Sequence, residues 1–245
     1  MPVLPIRLRP DPLVSSTVEL RFEPLLDRKA VVGAVYYKLR EQFPVLETLT
    51  TEALPEALRP SGPDFCYRPQ VRASNDQFRV YLAEQSITVG VVGTYPGWQA
   101  FSDTIQDVLR QVHGLGVVGE VQRLGLRYVS FFEGNALPGF KLTLNLPGHD
   151  GQQLPSSVLM RLPAVGCEHL LQLANFIDRS QASGLPAEAG IVGTVVDIDT
   201  EPTQPPTDFF TQPAHWLDLL HLAEKELFYG LLTDEFLHTL QPEYQ

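Results

Sequence analysis

No stretch constrains the fold more than the run from Tyr95 to Phe132. Tyr95-Pro96-Gly97-Trp98 opens onto Trp98, Phe101, Ile105, Val108, Leu109 and Val112. Their spacing puts all of them on one face of a helix over residues 96–113. Gly114 and Gly116 then supply its C-terminal stop. Residues 121–132 follow as a strand. Within it, Arg123-Leu124-Gly125-Leu126-Arg127-Tyr128-Val129 places Arg123 and Arg127 on one face, because side chains alternate along a strand. An apolar helix stripe must be buried against another layer, so a layered fold is required.

The rest of the chain supplies the layers. Residues 17–23 alternate, with Val18, Leu20 and Phe22 on one side and Thr17, Glu19, Arg21 and Glu23 on the other, as in a half-buried strand. Asp27 can cap a helix whose Val32, Tyr36, Leu39 and Phe43 share a face, and Pro44 ends it. Residues 46–63 carry mixed signals and read as a long connection. Strands are expected at 65–73, 77–83 and 86–92, with turns at Asn75-Asp76 and at 83–85. In the second half Phe140, Leu142, Leu144 and Leu146 alternate with Lys141, Thr143 and Asn145, which predicts a strand closed by Pro147-Gly148. Further strands are expected at 157–162, 168–178 and 191–200. A turn-rich segment at 201–207 leads to a helix with Trp216, Leu219, Leu220, Ala223, Leu227 and Leu231 on its apolar face. Thr233 can cap a last short helix with Phe236, Leu237 and Leu240. The expectation is an α+β fold of antiparallel sheets with segregated helices. The element order hints at two related halves, an α+β half over 1–134 and a β-rich half with a long helical tail over 135–245, packed as one globular unit.

Composition narrows the function. A chain of 245 residues that is 44% hydrophobic can bury a sizeable core. Its formal net charge of −11 argues against nucleic-acid binding, which needs a clustered basic surface. No apolar run is long enough to cross a bilayer, and residues 1–12 lack a hydrophobic signal core. The two cysteines, Cys66 and Cys167, lie far apart, which fits a reducing cytoplasm better than a disulfide framework.

Motif matches are few. Gly114-Leu115-Gly116-Val117-Val118-Gly119 fits the dinucleotide-binding pattern, but a helix precedes it and a strand follows, the reverse of the required order. It reads as a helix stop and turn, and no cofactor is expected. Asp197, Asp199 and Glu201 alternate on a strand and could offer oxygen ligands to Mg²⁺ or Ca²⁺, although a charged, solvent-facing edge explains them more simply. The six histidines form no ligand pair. His221 lies one turn after Asp218, with Glu224 and Lys225 beyond it, an arrangement that could orient a general base but more commonly marks a helix surface. Glu19 with Arg21, and Arg123 with Arg127, would face each other if their strands pair. They would form either a charged ladder that fixes register or an anion-binding face.

At these residues the chain resembles a family of bacterial proteins that is sporadically distributed among genomes and has no assigned activity. The resemblance is carried by Glu19-Leu20-Arg21-Phe22, Phe43-Pro44, Tyr95, Trp98, Phe101, residues 123–129, Leu220-His221, Phe228 and Leu231-Leu232-Thr233. It supplies no catalytic residues. Its sporadic occurrence implies an accessory role in defence, toxin neutralisation or mobile-element function. The sequence reading is therefore a non-enzymatic cytoplasmic protein that binds a protein partner, with a homodimer as one form of that partnership. Trp216, Phe228 and Tyr229 are the candidate interface. The alternative is a small anionic-ligand binding protein or enzyme built on Arg21, Arg123, Arg127 and His221.

Overall fold

The computed structural model describes residues 3–49, 65–143, 145–183 and 190–244. Among them the fold is α+β. An antiparallel sheet of nine strands runs in the order β2-β3-β4-β5-β1-β6-β11-β10-β9. The strands are β1 (Leu13–Pro24), β2 (Val45–Thr48), β3 (Val71–Ser74), β4 (Phe78–Leu82), β5 (Ser86–Val91), β6 (Val118–Glu133), β9 (Ser157–Ala164), β10 (Cys167–Asp178) and β11 (Val192–Pro202). A separate two-stranded ribbon pairs β7 (Asn145–Leu146) with β8 (His149–Asp150). The helices are α1 (Arg28–Leu39), α2 (Trp98–His113), α3 (Arg179–Ser183), α4 (Pro213–Leu231) and α5 (Asp234–Thr239). None of the described helices is long and apolar enough to cross a membrane.

The chain forms two compact units, each drawn from separated segments. One contains Ser16–Leu126 and Glu201–Leu220, the other Met1–Ser15, Arg127–Thr200 and His221–Gln245.

In the first unit, register and alternation sort the side chains onto two faces. Phe78, Val80 and Leu82 of β4 lie opposite Val91, Val89 and Ile87 of β5, and Val18 and Leu20 of β1 continue the same face. Helix α1 packs over β4 and helix α2 over β5, and the ring of Phe78 stacks on Phe101 of α2 with centroids 6.3 Å apart. Phe101, Ile105, Val108, Leu109 and Val112 are buried as their spacing requires, while Trp98 is half-buried at the helix entry. In α1 the buried stripe is Val31, Val35 and Leu39, continued by Phe43, and Val32 and Tyr36 sit half-buried at its margin. The expectation holds at Leu39 and Phe43 and is displaced by one residue in the first two turns, where Val31 and Val35 are buried in place of Val32 and Tyr36.

The second unit has its own core. Phe132, Phe140, Leu171, Leu173, Val196, Ile198, Phe228 and Leu232 are buried together. Thr233 caps α5 as expected, its hydroxyl accepting from the Phe236 N–H at 3.2 Å.

Two strand expectations fail for local reasons. The segment 65–73 splits into a 3₁₀ turn at Phe65–Tyr67 and the short β3, since Pro69 has no N–H to give a ladder. The stretch from Phe140 to Thr143 is not a strand either. Phe140 makes an isolated bridge to Leu232, and Lys141 N–H donates to the Leu231 carbonyl at 2.6 Å, so its apolar residues serve the core from a loop. Leu144 and most of the long connection, residues 50–63, lie outside the described residues, and β2 occupies the start of that connection.

Candidate functional site

The Glu/Arg strands meet as a ladder in the first unit. Arg123 donates through Nη1 to Glu19 Oε2 at 2.7 Å and through Nε to Glu201 Oε2 at 2.6 Å. Arg21 Nε donates to the same Glu19 oxygen at 2.9 Å. Gly125 makes this geometry possible, since a Cβ there would stand 2.3 Å from Arg123 Nη1. The guanidinium lies across the glycine, which accounts physically for the Arg-x-Gly-x-Arg spacing. In the second unit Arg127 forms a fork with Asp197, donating through Nε to Oδ1 at 2.7 Å and through Nη2 to Oδ2. The pair is bidentate, with Asp197 buried and Arg127 half-buried. The arginines that alternation put on one face thus take different carboxylates.

The same contacts locate the metal candidates. Asp197 is held by a cation, and Asp199 is half-buried. Among the described residues no group of three His, Cys, Asp or Glu side chains is placed to hold a metal ion.

His221 and Glu224, one turn apart on α4, belong to the second unit. His221 Nδ1 meets the Tyr128 hydroxyl at 3.2 Å, and the rings cross edge to face. Burial, helped by the positive charge of Lys225, pushes the imidazole down to about 3, so it is neutral across ordinary pH. Glu224 is buried, and burial raises its carboxyl to about 8 against the opposing pull of Lys225. The Tyr229 phenol is pushed up by burial and by Glu224. Burial thus favours the neutral form of both side chains.

Of the candidate interface aromatics Phe228 lies in the interior, while Trp216 and Tyr229 are half-buried. Phe228 is buried, stacked on Phe132 with centroids 6.5 Å apart. Tyr229 is half-buried against the same core. In the first unit Trp216 is half-buried and donates its indole N–H to Asp208 at 2.8 Å, and Phe209 is fully buried. The sequence showed the aromatic content of this tail, but helical phase directs Phe228 inward.

Sequence reasoning missed a second polar cluster in the first unit. Register aligns Glu47, Arg72, Tyr81, Thr88 and Glu19 in one row across β2, β3, β4, β5 and β1. The next row holds Ser74, Arg79, Gly90 and Thr17 on the same face. Arg72 pairs with Glu47. Arg79 is only 4% exposed and Tyr81 only 1%, yet Arg79 Nε and the Tyr81 hydroxyl close no hydrogen bond. The guanidinium of Arg79 stands 5.6 Å from the Tyr81 ring centroid. A clue lay in the sequence: an arginine between Phe78 and Val80 in a strand whose hairpin partner carries Gly90. Polar-out alternation disguised it.

Among the described residues β2 and β9 stand at the sheet margins. All four residues of β2 are exposed, Val45 at 60% and Leu46 at 44%. On β9, Leu159 is also exposed. No protein-family model and no curated protein matches this chain.

Proposed function

We propose that this chain is a non-enzymatic interaction protein of the cytoplasm with an accessory role in defence, toxin neutralisation or mobile-element function. In this reading it holds an extended segment of a protein partner along the open edge of β2. The edge is the observation that carries the reading. Among the described residues Val45–Thr48 pairs with β3 on one side only, and its side chains are exposed on both faces. A margin strand presents unpaired N–H and C=O groups, which are a template for an added strand, and exposed Val45 and Leu46 would give that strand apolar contact. The Arg72–Glu47 pair anchors β2 to the sheet behind it.

Two unpaired thiols, Cys66 and Cys167, suit a reducing compartment. The accessory role rests on the family resemblance alone. An anionic-ligand role for Arg21, Arg123 and Arg127 has less support, because each of them already donates to a carboxylate.

The test is a photo-crosslinker at position 46 in cells, followed by binding of the captured protein to the purified chain. Val45→Lys with Leu46→Lys should weaken that binding by at least about tenfold, or ~1.4 kcal/mol, while Leu159→Lys leaves it unchanged. If the captured protein is a second copy of the chain, the same lysines should abolish dimerisation in sedimentation. No crosslink at position 46 together with a strict monomer, or binding indifferent to the lysines, refutes the reading.

A further inference from the structure

We infer that Arg79 and Tyr81 form a site for a small carboxylate monoanion on the sheet face opposite α1 and α2. The inference concerns residues distinct from the exposed β2 side chains, and a negative result at either place leaves the other standing.

Three observations carry it. The first is an excess of buried donors. A buried polar group without a partner costs free energy, and an uncompensated buried charge costs more. Arg79 Nε and the Tyr81 hydroxyl are such groups, neighbours on one strand and on one face. Arg72 stands beside the Tyr81 hydroxyl, where it can offer only N–H donors and so leaves the phenolic O–H unspent, and its own charge is matched by Glu47.

The second observation is the local charge pattern. On this face Arg72 is matched by Glu47, and Arg21 and Arg123 are matched by Glu19 and Glu201. Arg79 has no carboxylate partner among the described residues. Burial works against its charge, Tyr81 supports it, and Arg72 works against it again, leaving the guanidinium below its ordinary value. An anion at this place would reverse that.

The third is the space made for the guanidinium. Gly90 lies directly across from Arg79, and a Cβ there would stand 3.3 Å from Arg79 Nε and 3.1 Å from Thr17 Cγ2. The glycine leaves room for the Arg79 side chain beside β5, as Gly125 does for Arg123. In the second case the arranged guanidinium meets carboxylates, so the first implies a carboxylate as well. Chemistry fixes the class. An Arg N–H and a phenolic O–H are both donors to an oxygen anion. A buried place with one unmatched positive charge favours a monoanion over divalent phosphate, which would leave one negative charge desolvated.

The carboxylate could be a free small acid or an acidic side chain of another protein, and the experiment separates these sources. Thermal melts of the full chain are run with sodium acetate, with N-acetyl-aspartate amide and with sodium phosphate, each against sodium chloride at matched ionic strength. Acetate should raise the melting temperature in a saturable way, beyond chloride and phosphate. If only the blocked aspartate does so, the site is assigned to a protein side chain.

Tyr81→Phe should fold normally without ligand, because the lost hydroxyl has no partner, and should weaken the apparent affinity by about tenfold. Arg79→Met should abolish the shift. If that variant does not fold, Tyr81→Phe decides alone. The inference is overturned if neither carboxylate exceeds chloride, if Tyr81→Phe responds like the parent, or if Tyr81→Phe is strongly destabilised without ligand.

Discussion

Glu224→Gln should stabilise the protein at alkaline pH and leave its acid stability nearly unchanged. The folded-state carboxyl titrates at about 8, against 4.5 in the unfolded chain. A raised carboxyl pKa favours the protonated form on folding. Its contribution is therefore fully present below pH 4.5 and is lost as the pH rises toward 8. At 1.36 kcal/mol per pK unit, that interval amounts to about 5 kcal/mol. His221 works in the opposite direction. Its folded pKa lies at about 3, against 6.5, so its contribution is complete above pH 6.5 and is lost as the pH falls toward 3. Between pH 4.5 and 6.5 the two slopes oppose each other, which gives a plateau with losses on both sides.

The assay is a series of thermal melts followed by circular dichroism at pH 4, 5.5, 7 and 8.5. With the two slopes cancelling up to pH 6.5, wild type should lose about 2 kcal/mol, or roughly 4–8 °C, between pH 5.5 and 8.5, and Glu224→Gln should lose far less. His221→Gln should flatten the acid side instead. Glutamine's own packing offset is independent of pH, so the difference in slope decides. Parallel curves for wild type and Glu224→Gln above pH 6.5 would refute the reasoning.

Two further substitutions probe the frame. Arg127→Leu leaves the buried Asp197 carboxylate without its fork and should cost about 3 kcal/mol in urea unfolding, whereas adding Asp197→Leu should recover much of that loss. If Arg127→Leu is neutral to stability, the pair is not a structural one. Gly193→Ala would bring a Cβ to 2.2 Å from the Phe132 carbonyl and 2.5 Å from the Phe131 ring, so it should cost several kcal/mol (about 3 or more) in the same measurement. An unchanged midpoint would show that the strands can part there.

Much of the frame was legible because its signals are local. Helix α2, strands β4, β5, β9, β10 and β11, and the Thr233 cap follow from periodicity and capping, which neighbouring residues decide. The positions of Glu19, Arg21 and Arg123 were legible as a charged face, and the inverted glycine pattern could be set aside from element order alone. The failures are equally instructive. Phe140 and Leu142 alternate like a strand, yet the Leu231 and Leu232 backbone captures their segment. Phe228 reads as a docking aromatic until the turn of α4 lays it on Phe132.

What the sequence determined by itself is the set of elements, their apolar faces and an acidic chain with separated cysteines. Tertiary structure decided which charges meet. Arg123 and Arg127 are equivalent in the sequence, but pairing gives one Glu19 and Glu201 and the other Asp197. Arg79 looks like any outward arginine on a strand until register sets it over Gly90, buried beside Tyr81. Alternation fixes which side of a strand a residue occupies. Only long-range pairing, which no local window contains, fixes what stands opposite it.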